Sequence, residues 1–170
     1  KYTALAIVAP RDTVPPQHLA MLDSYLEQGG KIFMALNRVI GDFRAIQGKS
    51  IYTGFETWLS YKGLSVDNNF LVDANCGTIG VQQQTGRMNF TTRVNFPYLP
   101  RVKTFSDHPI TNGLEEVMLQ FASTINFNGD TTLAYTPLAM SSNKSGIQAP
   151  PLTFDINKKW SERDFPLSGL

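Results

Sequence analysis

The chain has 170 residues, which is the usual size of one domain with a substantial core, about 100 to 200 residues. Its 15 Lys and Arg residues against 14 Asp and Glu residues give a formal net charge of +1, and the basic residues are scattered. This distribution excludes the concentrated basic patch of a nucleic-acid-binding protein. We therefore expect one α/β domain over residues 1–170 that binds no nucleic acid.

Cysteine and histidine are rare in the chain. Cys76 is the single cysteine, and the two histidines, His18 and His108, lie far apart without the spacing of a zinc motif. One cysteine forms no internal disulfide and no thiolate cluster. The sequence therefore predicts no metal site and no cofactor.

A βαβ unit is predicted at the start of the chain. Residues 4–10, "ALAIVAP", form an apolar run typical of a strand buried on both faces. Leu19, Leu22 and Leu26 then recur at helical spacing over residues 15–28, and Gly29 follows the pattern as a stop signal. Residues 31–36, "KIFMAL", form the next apolar run. Strand, helix and strand in this order predict two adjacent, central parallel strands, with Leu22 and Leu26 buried against the sheet.

The rest of the chain predicts further elements in the same sheet. Ile51, Phe55 and Trp58 fall at helical spacing, with Gly63 as the stop, and residues 70–73 form a third strand. A β-rich excursion or hairpin is expected over 74–92, strands over 117–127 and 131–142, and an irregular tail over 143–170. The predicted fold is a mainly parallel sheet flanked by helices, with this β-rich excursion.

Several stretches in one order resemble the extracytoplasmic domain of the gliding-motility-associated ABC transporter auxiliary component, the GldG family, also described as substrate-binding-like. In that family a helix ending in two glycines precedes a buried strand, and a Phe-Pro-Tyr segment and a His-Pro-Ile-Thr stretch follow further on. The stretches are "LDSYLEQGGKIFMAL", "FLVD", "NFPYLPRV", "DHPITNGLEEVMLQFASTI" and "PLAMSS".

This resemblance implies a noncatalytic accessory domain of an ABC transport system. The partners would be an ABC permease, through it an ATPase, and an envelope component or an unidentified ligand. Helices elsewhere in the protein would hold it in the membrane, with this domain on the periplasmic side. The first half is also similar to the class I glutamine-amidotransferase-like (flavodoxin-like) layer, a likeness of fold alone. The chain begins at Lys1 without Met, and we expect it to belong to a longer protein.

The alternative hypothesis is a Cys-His hydrolase or amidotransferase-like enzyme that uses Cys76 and His108. Such an enzyme places its cysteine on a tight strand-to-helix turn, beside a histidine that activates it. The residues after Cys76, "GTIGVQQQ", do not predict that helix. Pro109 and the Asn112-Gly113 pair give His108 a turn role instead.

The best candidate binding surface lies where the first two strands end. Arg11 and Asp12 follow the first strand, and Asn37 and Arg38 follow the second. Because the carboxyl ends of parallel strands form a crevice where ligands bind, we expect a ligand or partner site at these four residues. The segment 95–100, "NFPYLP", is the next candidate surface.

Overall fold

The computed structural model describes residues 2–85, 88–129 and 133–170. In chain order its elements are β1 (Ala4–Val8), α1 (Pro16–Glu27), β2 (Lys31–Ala35), β3 (Val39–Asp42), β4 (Gln47–Ser50), α2 (Phe55–Ser60), β5 (Leu64–Val66), β6 (Phe70–Asp73), β7 (Cys76–Thr85), β8 (Met88–Val102), β9 (Thr104–Phe105), β10 (Val117–Met118), β11 (Ile125–Phe127), β12 (Ala139–Met140), β13 (Ser145–Gln148) and a 3-10 helix, Glu162–Asp164.

β1, α1 and β2 form the predicted βαβ unit. β1 and β2 pair in parallel along their whole length. Pro16 begins α1, where its missing N–H breaks no helical hydrogen bond. Gly29 follows the last turn with a φ of 80°, in the left-handed region that favours glycine. The prediction that the two strands are adjacent and parallel is confirmed.

The expected position of these strands in the centre of a sheet is wrong. Among the described residues no third strand pairs with β1 or β2. Val8 in β1 is 66% exposed and Phe33 in β2 is 64% exposed. Apolar runs of this kind are typical of sheets covered on both faces. Here the cover is incomplete, so the apolar side chains meet solvent.

The helix α1 packs less tightly than its sequence pattern indicates. Leu22 and Leu26 are half-buried, and no residue of the helix is fully buried. The expectation that both leucines are buried against the sheet is therefore wrong. A polar contact adds to the attachment: the Asp23 carboxylate accepts hydrogen bonds from Lys62 Nζ at 2.6 Å and from Trp58 Nε1 at 3.0 Å. These bonds tie α1 to α2 and to the turn after it.

Beyond β2, the strand pairs of the described residues are antiparallel. β3 pairs with β4, β5 with β11, β6 with β13 and β9 with β12, while β7, β8 and β10 form a three-stranded sheet. The fold-class prediction of a mainly parallel, flavodoxin-like sheet flanked by helices is wrong. Residues 43–46, which join β3 to β4, illustrate the reason: a parallel pair needs a crossover of about a dozen residues or more.

Several local predictions agree with the structure. α2 forms within the predicted helical pattern and buries Phe55 and Trp58, and Gly63 lies just after it with a φ of 81°. The strand predicted over 70–73 is β6, although it pairs antiparallel to β13. Within 74–92, apart from residues 86 and 87 outside the described part, the chain forms the β7–β8 hairpin.

The strands predicted over 117–127 and 131–142 are much shorter in the structure. Phe121 adopts a φ of 53° and divides the first into β10, which pairs with β8, and β11, which pairs with β5. A bulky residue in this left-handed region does not continue a strand. For the strand predicted over 131–142, residues 131 and 132 lie outside the described part of the chain. In the described remainder the strand is β12.

The aromatic core holds the antiparallel sheets together. We define it as five buried residues from distant parts of the chain, Phe70, Phe96, Tyr98, Phe121 and Phe154. Their ring centroids lie 5.2 to 6.3 Å apart in tilted and edge-to-face arrangements, the geometries that aromatic pairs favour. One core thus joins β6, β8, the bend at residue 121 and the C-terminal segment.

The segment 143–170 packs on this core. β13 pairs with β6, and Leu152 and Phe154 are buried. The Trp160 ring lies 5.4 Å from the Tyr98 ring, centroid to centroid. The predicted tail therefore contains a strand, a 3-10 helix and core residues.

Candidate functional site

The four predicted site residues leave the β1–β2 sheet at one edge. The N–H of Ala9 donates to the carbonyl of Ala35 at 2.8 Å and continues the parallel ladder past the end of both strands. The chain after β1 and the chain after β2 therefore emerge at the same side of the sheet, as the carboxyl ends of parallel strands do. This is the edge at which the sequence predicts a crevice.

The four side chains differ in what they do at this edge. Arg11, Asp12 and Asn37 are exposed, and within the described part of the chain their side chains make no hydrogen bond or ion pair. Arg38 is half-buried; its guanidinium donates to the carbonyl of Ile51 and lies 6.0 Å from the Tyr52 ring centroid. Arg38 therefore fastens the end of β2 to the segment after β4. A binding role for the four stays a prediction.

An apolar cleft lies beside the carboxyl end of β2. Its volume is about 180 Å³. We call it the strand-end cleft, and its lining residues are Met34, Leu36, Leu59, Leu64, Val66, Ser123 and Ile125. The single polar side chain among them, Ser123, already donates its hydroxyl to the carbonyl of Asn69 at 2.9 Å. The cleft therefore offers apolar contact and little hydrogen bonding.

The walls of the strand-end cleft come from the end of β2, from α2 and from the β5–β11 pair. Met34 and Leu36 are two positions apart, so the extended chain points them to the same side. α2 supplies Leu59. The opposite wall is the antiparallel pair of β5 and β11, in which Val66 lies opposite Ile125.

A polar cluster fixes the β5–β11 wall where β5 ends and β11 begins. The Asp67 carboxylate accepts hydrogen bonds from Ser65 Oγ at 2.9 Å, Thr124 Oγ1 at 3.1 Å and Asn126 Nδ2 at 2.7 Å. Asn69 Nδ2 also donates to Thr124 Oγ1 at 2.8 Å. These bonds hold the end of β5 against the start of β11, so the cleft is formed before anything binds.

The size of the strand-end cleft limits what it accommodates. Small-molecule sites usually enclose about 300 to 1,000 Å³ and carry several convergent polar groups. The strand-end cleft is smaller, and its one hydroxyl is already used. It matches one large apolar side chain of a partner better than a cofactor or a polar substrate.

The surroundings of Cys76 differ from those that the Cys-His enzyme hypothesis requires. Cys76 begins β7, a strand, and so does not lie on a strand-to-helix turn. Burial raises the pKa of its thiol, the opposite of what activates a nucleophile. Within the described residues no hydrogen bond joins Cys76 to His108.

His108 belongs to a turn. Its Nδ1 accepts the N–H of Ile110 at 3.2 Å, and the backbone N–H of Thr111 donates to the carbonyl of His108 at 2.9 Å. The Thr111 hydroxyl closes the turn by donating to the carbonyl of Ser106 at 2.7 Å. These bonds match the turn role that the sequence predicts for this stretch.

A family comparison places the chain among transport proteins. The model of the ABC transporter auxiliary family, described as "ABC-type uncharacterized transport system", matches residues 1–169. The chain belongs to this family. No curated protein and no solved structure shows a match.

Membership in this auxiliary family confirms part of the resemblance, namely an auxiliary component of an ABC-type transport system. An auxiliary transport component is consistent with a non-catalytic role. The two α-helices of the described chain, of 12 and 6 residues, are both too short to cross a bilayer. Across the described residues no group of three His, Cys, Asp or Glu side chains has the arrangement of a metal site.

The sequence indicated one wall of the strand-end cleft and missed the others. "KIFMAL" marked β2 and placed a crevice at its end. Leu59, Val66 and Ile125 come from three other elements, and no local pattern shows that those elements meet. The available signal is the apolar–polar–apolar alternation of β5, "LSV", and β11, "INF", which is typical of antiparallel strands with one solvent face. Three residues are too few to establish this period from the sequence.

Proposed function

We propose that this chain is a noncatalytic, extracytoplasmic accessory domain of an ABC transport system, of the gliding-motility auxiliary type. In this proposal the full-length protein is anchored in the membrane, and the domain lies on the periplasmic side. It binds the permease subunit and through it acts with the ATPase; an envelope component is the alternative partner. Family membership supports the transport role.

The observation that carries the binding role is the strand-end cleft. Its walls are apolar and fixed, and its volume of about 180 Å³ matches a single side chain. Burying one Leu or Phe side chain contributes about 1.5 to 3 kcal/mol. A side chain that fills a pocket at the centre of an interface is typical of the few residues that dominate binding free energy.

The surroundings of the strand-end cleft resemble the layout of a protein interface. Ile125 is 56% exposed at its edge and extends the apolar area beyond the cleft itself. Arg11, Asp12 and Asn37 follow the strands at the same edge of the β1–β2 sheet and would supply a polar rim. An apolar centre with a solvated polar rim is the usual anatomy of such contacts.

The test uses the full-length protein purified from its own membranes with the permease. Ile125→Asp places a charge at the mouth of the cleft, and its exposure makes the substitution tolerable for folding. We expect the recovered permease to fall at least about tenfold, because a buried, unpaired carboxylate opposes docking. Ile110→Asp is the matched control, since Ile110 is also exposed and lies on the His108 turn; it should recover the permease as the wild type does.

Two results would contradict the proposal. If Ile125→Asp and Ile110→Asp both recover the permease at the wild-type level, the strand-end cleft is not the contact. If the permease is absent even from the wild-type preparation, the partner is a different protein.

The periplasmic location is tested separately. Val8→Cys in a Cys76→Ser background provides one thiol at a position that is 66% exposed. A thiol reagent that does not cross membranes should label it in cells with a permeabilised outer membrane. Labelling only after the inner membrane is broken would place the domain in the cytoplasm.

A further inference from the structure

A second cleft lies between β13 and the C-terminal segment. Its volume is about 390 Å³, within the range of about 300 to 1,000 Å³ that is usual for ligand sites. We call it the C-terminal cleft. Nothing in the proposed function uses it.

The outer edge of β13 is only partly covered. Ser145 exchanges both backbone hydrogen bonds with Leu167, each at 2.8 Å, on the side away from β6. Lys144 faces β6 instead, since its carbonyl accepts the N–H of Ala74 at 3.0 Å. Because the bonding direction alternates along a strand, the N–H and C=O of Ile147 point outward, as those of Ser145 do.

No backbone group pairs with Ile147 on that outer side within the described residues. Leu71, which lies opposite Ile147 on β6, also makes no ladder bond to it: the Leu71 N–H points away from β13 and donates to the carbonyl of Ala122 at 2.8 Å. The C-terminal chain joins this edge only at Leu167: before it, the carbonyl of Asp164 lies against Gly146, over the face of the strand. One donor and one acceptor of a sheet edge therefore open toward the C-terminal cleft.

One cationic side chain of the C-terminal cleft has no ion-pair partner among the described residues. The Lys158 ammonium pairs with the Asp164 carboxylate at 2.7 Å and lies 3.9 Å from the Trp160 ring centroid. Asp164 also accepts from the N–H and the hydroxyl of Ser161 at 2.8 and 2.9 Å. Arg163 lines the same cleft and makes no ion pair within the described part of the chain. The lining therefore attracts an anion.

An apolar surface completes this arrangement. Trp160 is held from two sides, by Phe165 stacked at 5.4 Å and by Tyr98 edge-on at 5.4 Å. Leu167 and Val72 line the cleft beside it. The apolar surface is thus rigid and lies close to the open edge of β13.

We propose that the C-terminal cleft binds an extended, acidic peptide segment of a partner protein. The segment pairs with the free backbone groups of Ile147, places one carboxylate on Arg163 and lays an apolar side chain on Leu167, which is 38% exposed and lines the cleft beside Trp160. Addition of a strand to an open sheet edge is a known mode of peptide recognition, in which backbone bonds give affinity and alternate side chains give selectivity. An arginine without an ion pair selects the acidic sequence.

The experiment measures binding of a labelled hexapeptide of alternating valine and glutamate, capped at both ends, by fluorescence polarisation. We expect it to bind the 170-residue chain, and the valine–lysine analogue to bind at least about tenfold more weakly. Arg163→Glu should weaken the acidic peptide by a similar factor. Arg163 is exposed, so this variant tests the charge without a loss of folding.

A pair of variants at Ile147 separates backbone pairing from side-chain contact. Ile147→Pro removes the outward N–H and no hydrogen bond to β6, so the strand tolerates it as an edge position. Ile147→Ala keeps the N–H and is the control. We expect the proline variant to bind the acidic peptide at least about fivefold more weakly than the alanine variant, with both variants retaining the wild-type far-ultraviolet circular dichroism.

Four outcomes overturn the proposal. The acidic peptide does not bind at millimolar concentration; the lysine analogue binds as well as the glutamate peptide; Arg163→Glu binds the acidic peptide as the wild type does; or free glutamate competes as strongly as the unlabelled peptide, which would make the site one for a small carboxylate.

Discussion

The N-terminal βαβ unit and the aromatic core are both rich in apolar residues, and only one of them is well covered. In β1, α1 and β2 no residue is fully buried. In the aromatic core Phe70 is completely buried, and rings from distant parts of the chain enclose it. The difference shows that apolar content alone does not determine stability, because an apolar side chain stabilises only when other elements remove it from water.

The largest expected difference in stability between the two regions comes from removing one aromatic ring in each of them. Phe70→Ala should lower the free energy of unfolding by about 3 to 5 kcal/mol, since it leaves a cavity in the aromatic core. Phe33→Ala is the same chemical change at a largely exposed position and should cost less than about 1 kcal/mol. Urea titration of the two variants measures the difference. Equal losses would mean that the βαβ unit is as well packed as the core.

Adding volume should produce the next largest difference. The hydrogen of Gly41 faces the Phe121 ring so closely that an added methyl group would overlap it. Gly41→Ala should therefore cost about 1 to 3 kcal/mol by overpacking. Ala6 in β1 is exposed, so Ala6→Val should change the free energy of unfolding by no more than about 0.5 kcal/mol. A destabilising Ala6→Val would reveal a packed neighbour of β1.

A leucine in each region gives an intermediate comparison. Leu26 in α1 is half-buried, and Leu26→Ala should cost about 1 to 2.5 kcal/mol, half the value of a fully buried leucine. Leu152 is buried beside the aromatic core, and Leu152→Ala should cost about 2 to 5 kcal/mol. Thermal unfolding of both variants provides the measurement, and a larger loss for Leu26→Ala would reverse the comparison.

A smaller effect should appear as a pH dependence of the stability, caused by Tyr98 in the aromatic core. Burial raises the pKa of the Tyr98 phenol to about 12, while the unfolded value is about 10. The neutral phenol therefore stabilises the fold fully below about pH 10, and this contribution is lost as the pH rises through about 12. Wild-type unfolding temperatures should fall steeply over this range.

Tyr98→Phe should flatten that fall. The variant loses about 1 kcal/mol at neutral pH, because Gln148 Oε1 no longer receives the hydroxyl hydrogen bond of 2.6 Å. Tyr61→Phe, at an exposed position after α2, is the control and should keep the wild-type pH profile. A profile for Tyr98→Phe that matches the wild type would show that another group causes the pH dependence.

The smallest effect concerns thiol reactivity and leaves stability unchanged. Cys76 is half-buried at the start of β7, and burial raises the pKa of its thiol. It should react with a disulfide reagent at pH 7.5 more slowly than the thiol of Val8→Cys in a Cys76→Ser background, since the thiolate is the reacting form. The rate at Cys76 should not change in His108→Ala. A faster Cys76 that slows in this variant would restore the enzyme hypothesis.

The same comparison explains which features the sequence predicts. β1, α1 and β2 are visible because each arises from a local pattern: two apolar runs, a helical repeat and a glycine stop. The aromatic core has no such signal. Phe121 interrupts what looks like one continuous strand. Its φ is 53°, and its ring packs against Phe70 and Phe154, which lie far away in the sequence. Phe154 lies among prolines and polar residues that are typical of a linker.

The candidate sites divide in the same way. Arg11 and Arg38 lie at the same edge of the β1–β2 sheet because the two strands are parallel, and the sequence predicts this parallel pairing. The strand-end cleft beside them needs β5 and β11, which are 3 residues each and lie far apart in the chain. Elements this short carry too few residues to show a period, so their pairing depends on tertiary contacts.

Phe154 also sets the earliest point during synthesis at which the aromatic core can be completed. The βαβ unit is complete once Ala35 has emerged, whereas the aromatic core lacks one of its five rings until Phe154 is made. At about 5 to 20 residues per second, Phe70 waits roughly 4 to 17 s for Phe154. Throughout that interval the nascent chain carries aromatic strands with open edges, so chaperones that hold hydrophobic segments have a target, and a product terminated before residue 154 is prone to aggregate.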